Sequence, residues 1–362
     1  MSWIGLRDPQ RGHFNEAGLG TASKKPVDLN GILPKGSLML SFAVTADMTG
    51  RNTTLVHQMS NSPWISGIEI LLAKDGSIVL RHTQGQTICS ARLPAGLVTR
   101  MGDLLLTYTW DAPCRFAMLS LQNGETGQTN FVRVKSPQPL SLRDAIKLTR
   151  HPGGCTVNEN CDFLAFADHM VPHGPLPALC GSSLIPTLSG LARVDSLKQG
   201  DLILADDGGI AQVRWLGTAT VPCRGRFAKT RARAPFFGAT RDLSGSAHQR
   251  IELVGSEVDY LFANARVSVR LGDLPEHVTA PVKSNKMTET YYGLLLDRTV
   301  GIKSGGLSIS MMDVSELNAN EDLRKSSVLR DLPAEMMPSA SASKLPLLRR
   351  LETLTLLQLM AA

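Results

Sequence analysis

The residues with most chemical potential in this chain are its six cysteines: Cys89, Cys114, Cys155, Cys161, Cys180 and Cys223. A cysteine is a nucleophile only as its thiolate, and one buried among apolar side chains is an inert small hydrophobe. Cys180 directly follows a stretch holding Pro172, Pro175 and Pro177, at the edge of a new strand-rich region. Residue type alone favours the inert reading, and the place of Cys180 at this boundary leaves both readings open. Irregular spacing gives no disulfide framework, and a chain of 362 residues needs none, so reduced thiols are expected. His151, Cys155, Cys161, His169 and His173 crowd one region, but their gaps differ from the paired short spacings of structural zinc sites. No metal and no cofactor are expected. Arg224, Arg226, Lys229, Arg231 and Arg233 alternate with apolar or small residues and carry no interleaved stacking aromatics. That pattern predicts a solvated strand face rather than a nucleic-acid site.

The elements that must hold these groups are strands. The length predicts about two domains at roughly 150 residues each. A composition 43% hydrophobic and 19% charged, with net charge +6, is that of a globular chain with ample core. Neither a membrane span nor a signal peptide is expected, since no long apolar run occurs and Met1 to Asp8 is mixed. The expected location is cytoplasmic, or exported by a route that needs no signal peptide. Residues 1–27 read as a loosely held arm. Strand-like runs follow at 37–44, 68–72, 77–81, 104–110, 115–121 and 130–134. Asp75-Gly76 between two of them predicts a two-residue hairpin. Many short strands with turns between them predict an antiparallel sandwich over 28–150. Leu140 to Thr149 predicts a short helix with Ser141 as cap and Asp144 three residues on. Proline and glycine predict a linker over 151–179, and leucines 347, 348, 351 and 354 predict an amphipathic helix within 336–362.

Two resemblances add to this. Leu105 to Leu121, with Tyr108 and Trp110-Asp111-Ala112, resembles the late strands of concanavalin A-like (laminin-G-like) jelly rolls. Ala178 to Ile185, the Val194 to Asp201 turn and Leu202-Ile203-Leu204 resemble the opening of a Hint (hedgehog/intein) domain. Gln212 to Val221, Arg231 to Gly238, Gly255 to Phe262 and Tyr291 to Arg298 are similar to further motifs of bacterial members. The implied fold class is all-β: an N-terminal antiparallel sandwich, a Hint fold over 180–335, then the short helix.

The second resemblance implies autoprocessing. In the family the opening cysteine attacks the peptide bond before it and turns an amide into a thioester, so Cys180 is the implied nucleophile and the preceding chain its substrate. The family's proton donor is the histidine of a Thr/Ser-x-x-His motif. Counting from Ser246 reaches Gln249, and His248 stands one residue early. On a strand that slip would turn it to the opposite face. Gln249 donates a hydrogen bond but gives up no proton near neutral pH. Cys-Gly-Ser-Ser is also two residues shorter than the family's opening loop, at roughly 3.3 Å per extended residue. The implied function is self-cleavage at Leu179–Cys180, slow or degenerate, supported by Ser246 and by His248 or Gln249. The rival is a non-catalytic surface or binding protein whose sandwich holds a glycan or protein ligand. Neither reading calls for nucleic acid or a membrane span.

Overall fold

A computed structural model describes residues 1–22, 28–98, 102–150, 154–282, 285–338 and 345–360 of the chain. It divides into two compact units, Met1–Gly174 and Pro175–Ala362.

In the first unit, two antiparallel sheets pack face to face. One runs Thr129–Arg133, Phe116–Asn123, Gly102–Asp111, Lys35–Val44, Cys161–Ala167, Trp3–Arg7, Gly12–Phe14. The other runs Thr156–Val157, Thr53–Ser60, Ser66–Leu72, Ile78–Gln84, Thr87–Leu93. Alternate side chains of the two, among them Leu38, Leu40 and Phe42 against Ile68, Ile70 and Leu80, share one core. Tyr108 and Trp110 belong to that core, and the Trp110 indole donates to the Leu33 carbonyl at 2.9 Å.

Four expectations need correction here. Within the expected arm, Trp3–Arg7 and Gly12–Phe14 are strands: Leu6 pairs with Ala165 and Arg7 with Leu164, and Trp3, Ile4 and Leu6 are buried. Much of the expected linker is also sheet, because Cys161–Ala167 lies between Lys35–Val44 and Trp3–Arg7. A strand covered on both faces reads as an unbroken apolar run, so Phe163 to Ala167 gave no period-two signal. The unit boundary therefore falls after Gly174; His151 and Pro152 lie outside the described residues. The hairpin at Asp75-Gly76 forms, with Leu72 opposite Ile78, but its loop has three residues. Gly76 N donates to Ala73 O and Ala73 N to Ser77 O, each at 2.8 Å, and Gly76 takes φ +80°. That is a type I turn closed by a left-handed glycine. Last, Ser141 precedes the helix Leu142–Thr149 without a side-chain cap bond, and Asp144 is fully buried, 3.5 Å from Gln58 Nε2.

The second unit is built on a nine-stranded sheet: Gly190–Arg193, Leu184–Thr187, Leu202–Leu204, Ile210–Pro222, Thr288–Leu296, Leu179–Cys180, Leu243–Ser246, Lys229–Ala232, Thr279–Pro281. A four-stranded sheet adds Arg266–Arg270, Arg250–Val254, Leu307–Ile309 and Ile302–Ser304. Several pairings are local, such as Leu184–Thr187 with Gly190–Arg193 and Lys229–Ala232 with Leu243–Ser246, but Leu179–Cys180 pairs with strands about 66 and 112 residues further on. Gly255 opens a helix, Ser256–Phe262. The C-terminal helix is shorter than expected, Arg350–Met360. Leu347 and Leu348 precede it, Leu351 is 78% exposed, and the inward side chains are Thr353 and Leu356, one turn apart.

Candidate functional site

Leu179–Cys180 is a two-residue strand held from both sides. Leu179 lies opposite Gly245 on one neighbour and Tyr292 on the other, and Cys180 lies opposite Tyr291. Ser246 N donates to the Ala178 carbonyl at 2.8 Å. Backbone groups of successive strand residues point to opposite neighbours, so the Leu179 carbonyl is turned toward Tyr292. The next residues close tightly: Ser183 N donates to Cys180 O at 3.0 Å and Asp195 N to Gly181 O at 3.1 Å. The short Cys-Gly-Ser-Ser loop is thus a turn that keeps Cys180 in register with Tyr291.

Cys180 is only 2% exposed and lines a cleft of about 320 Å³ with Lys229, Lys286, Glu289, Asp195 and Arg193. Burial pushes its pKa up to about 11; Lys229 pulls it down, and Glu289 and Cys223 push it further up. Glu289 Oε2 is 3.8 Å from Lys229 Nζ and 4.0 Å from Lys286 Nζ. Both are ion-pair distances, and that buried oxygen has no hydrogen-bond donor among the described residues. Tyr291 is buried against the same cluster and donates to Phe227 O at 2.8 Å.

Ser246, His248 and Gln249 gather at the turn after Leu243–Ser246. Residues 247–249 belong to no strand, so strand alternation does not decide which way His248 points. Its Nδ1 is 3.1 Å from Ser246 Oγ and 3.1 Å from the Arg226 carbonyl, and the ring packs edge-on to Phe227. Burial, then the Arg226 charge, push its pKa down to about 3 against the pull of the Arg226 and Leu176 carbonyls. His248 is therefore neutral at pH 7, held by Ser246 and by the Arg226 and Leu176 carbonyls. Gln249 is 4% exposed and its Nε2 donates to Arg250 O at 2.7 Å and Ser310 O at 3.4 Å. A Cβ on Gly245 would come within 2.9 Å of Gln249 Cβ and 3.0 Å of the Ala178 carbonyl. Gly245 and Leu179 are cross-strand partners, so Gln249 covers the face of Leu179, opposite to the face that carries the thiol.

Sequence reasoning missed Lys229 and Glu289 as neighbours of the thiol. Lys229 was expected on a solvated face, yet it lines the cleft, whereas Arg231 and Arg233 are exposed. Nothing local reveals this, because Lys229 reaches the thiol only through the pairing of Leu179 with the distant Gly245, next to Ser246 opposite Lys229. The histidine–cysteine group disperses: His173 is buried between Thr109 Oγ1 at 2.9 Å and Ser120 Oγ at 2.6 Å, with its pKa pushed down to about 3 by burial. Among the described residues no group of three His, Cys, Asp or Glu is placed to hold a metal ion, and no helix is long and apolar enough to cross a membrane.

Residues 177–310 match the family model of the Hint domain, so the second unit carries the Hint-type fold. No curated protein matches the chain. Among solved structures, the MchDnaB-1 intein (N145AA) is similar at 14% identity, over 38% of this chain and 100% of its own, with TM-score 0.26. The CBM40 domain of the Ruminococcus gnavus IT-sialidase, solved with α2,6 sialyllactose, is similar at 10% identity over 46% of this chain and 88% of its own, TM-score 0.26. The LG1-3 region of the laminin α2 chain is similar at 9% identity over 86% of this chain and 68% of its own, TM-score 0.25.

Proposed function

We propose that this protein processes itself by an N-to-S acyl shift at Leu179–Cys180, and that the reaction is slow. The observation that carries this reading is the position of Cys180: second residue of a short strand inside the Hint fold, its preceding peptide clamped by two neighbouring strands, its thiol on a cleft.

The step is an exchange of bonds at one carbon. Cys180 Sγ attacks the Leu179 carbonyl carbon, a C–S bond forms, the C–N bond breaks, and the Cys180 nitrogen leaves as an amine carrying the proton that the thiol gives up. Two features slow it. A thiol with pKa about 11 is ionised to only ~10⁻⁴ at pH 7, about a hundredfold less than an ordinary cysteine. The departing nitrogen needs a proton, and Gln249 supplies none while His248 is already neutral. Loss of a general acid costs ~10²–10⁴ in rate. Lys229 and Lys286 both lower the thiol pKa, Lys229 the more strongly, and so favour the thiolate.

Dithiothreitol cleaves thioesters, so incubating full-length protein with it at pH 7 tests the proposal. The wild type should release a fragment beginning at Cys180 only over days, Cys180→Ala none, and Gln249→His ~10²–10⁴ faster than wild type. The rival reading, a non-catalytic binding protein whose sandwich holds a glycan or protein ligand, expects no fragment from any of the three.

A further inference from the structure

A second cavity, about 420 Å³, lies against the polar face of the four-stranded sheet. Along Arg250–Val254 and Arg266–Arg270 the core takes Ile251, Leu253, Val267 and Val269, which leaves Arg250, Glu252, Arg266 and Ser268 on the cavity side. Most charges there are already paired. Arg266 donates to Asp206 at 2.6 Å and to Glu252 at 3.1 Å, Ser310 Oγ donates to Glu252 at 3.1 Å, and Arg298 pairs with Asp207 at 3.0 Å. Arg250 differs. Among the described residues no hydrogen bond or ion pair reaches its guanidinium; Asp313 acts on it electrostatically without pairing. Burial depresses its pKa below the usual arginine value, so the group is desolvated as well as unpaired. A half-buried charge without a direct partner is costly, and among the described residues only the field of Asp313 offsets it.

The remaining lining narrows what could complete it. Guanidinium offers a planar fork that matches a two-oxygen anion. Four carboxylates, Asp206, Asp207, Glu252 and Asp313, line the same cavity, which disfavours a doubly charged ligand. Leu295, Met311, Met312 and Val314 supply an apolar wall, and the volume is that of a small-molecule site. We propose that this cavity binds a small aliphatic monocarboxylate, its head on Arg250 and its tail against Leu295, Met311, Met312 and Val314. The site stands apart from the Cys180 cleft and does not depend on the acyl shift.

Calorimetric titration of the full-length protein with octanoate and with 1-octanol tests this. Wild type should bind octanoate, and octanol at least tenfold more weakly. Arg250→Gln should weaken octanoate by ~10–100-fold, the worth of a charge-assisted hydrogen-bond pair, and leave octanol unchanged. Without ligand the same variant should melt no lower than wild type, because it removes a half-buried charge that has no direct partner among the described residues. Should it fail to fold, Arg250 is a structural residue and the proposal falls. Equal affinity of wild type for octanoate and octanol, or no binding of octanoate, overturns it without any variant.

Discussion

Replacing Glu289 by glutamine should make Cys180 more reactive, although it adds no catalytic group. Glu289 shares the cleft with the thiol and is a carboxylate that pushes its pKa up, while Lys229 and Lys286 pull it down. Taking charges ~8 Å apart at an effective dielectric of ~20, removing one carboxylate is worth about 2 kcal/mol, or ~1.5 pH units. Starting from about 11, the Cys180 pKa would fall toward the ordinary thiol range, and the thiolate at pH 7 would rise from ~10⁻⁴ to a few times 10⁻³. Lys229→Gln should act in the opposite direction by a similar factor. The substitution at 289 should be well tolerated, since one carboxylate oxygen is buried without a hydrogen-bond donor among the described residues. Alkylation of Cys180 by iodoacetamide, followed by peptide mass spectrometry from pH 6 to 10, reads the effect directly. Glu289→Gln should alkylate roughly tenfold or more faster at pH 7, with the half-point of its profile moved to lower pH. An unchanged rate for Glu289→Gln, or a faster one for Lys229→Gln, would refute the electrostatic account of the cleft.

Ending the first unit at residue 150 should prevent folding, because it removes Cys161–Ala167 from the middle of a seven-stranded sheet; a chain ending at 174 should fold, as circular dichroism and a cooperative melt would show. The first unit should also lose stability in mild acid. His82 and His173 are held neutral, with pKa values pushed down to about 4 and about 3 by burial, so their contribution is complete above ~6.5 and is lost as pH falls toward those values. By pH 5 each costs ~2 kcal/mol, and urea unfolding of the isolated unit at pH 7 and pH 5 should differ by ~4 kcal/mol. Equal stability at the two pH values would mean that the buried imidazoles are charged in the fold.

Legibility in the sequence followed locality. The run at 68–72 alternates buried and half-buried residues, and the runs at 37–44 and 104–110, although buried on both faces, also lie in observed strands. Phe163 to Ala167, covered on both faces, carries no alternation and sat beside prolines, so it read as a connector. Asp75-Gly76 marked its hairpin, because a left-handed glycine is needed in either loop type; the loop length is set by the strand register, which two residues cannot encode. At the site, Cys180 and Gln249 were legible through the family resemblance, but their placement on opposite faces of the sheet is not. That depends on Gly245 pairing with Leu179 and on a turn at 247–249 that frees His248 from strand alternation. Lys229 and Glu289 meet at the thiol only because Leu179–Cys180 is inserted between Thr288–Leu296 and the pair Leu243–Ser246 and Lys229–Ala232.

Hydroxylamine trapping with intact-mass detection tests the central claim most directly, since hydroxylamine captures a thioester as it forms. The account predicts two products from the wild type: residues 1–179 ending in a hydroxamate at Leu179, and residues 180–362 beginning at Cys180. Their yield should rise with pH from 7 to 9 as the thiolate grows, and Cys180→Ala should abolish them. Intact mass in both wild type and Gln249→His after the same treatment, or cleavage that persists in Cys180→Ala, would contradict it.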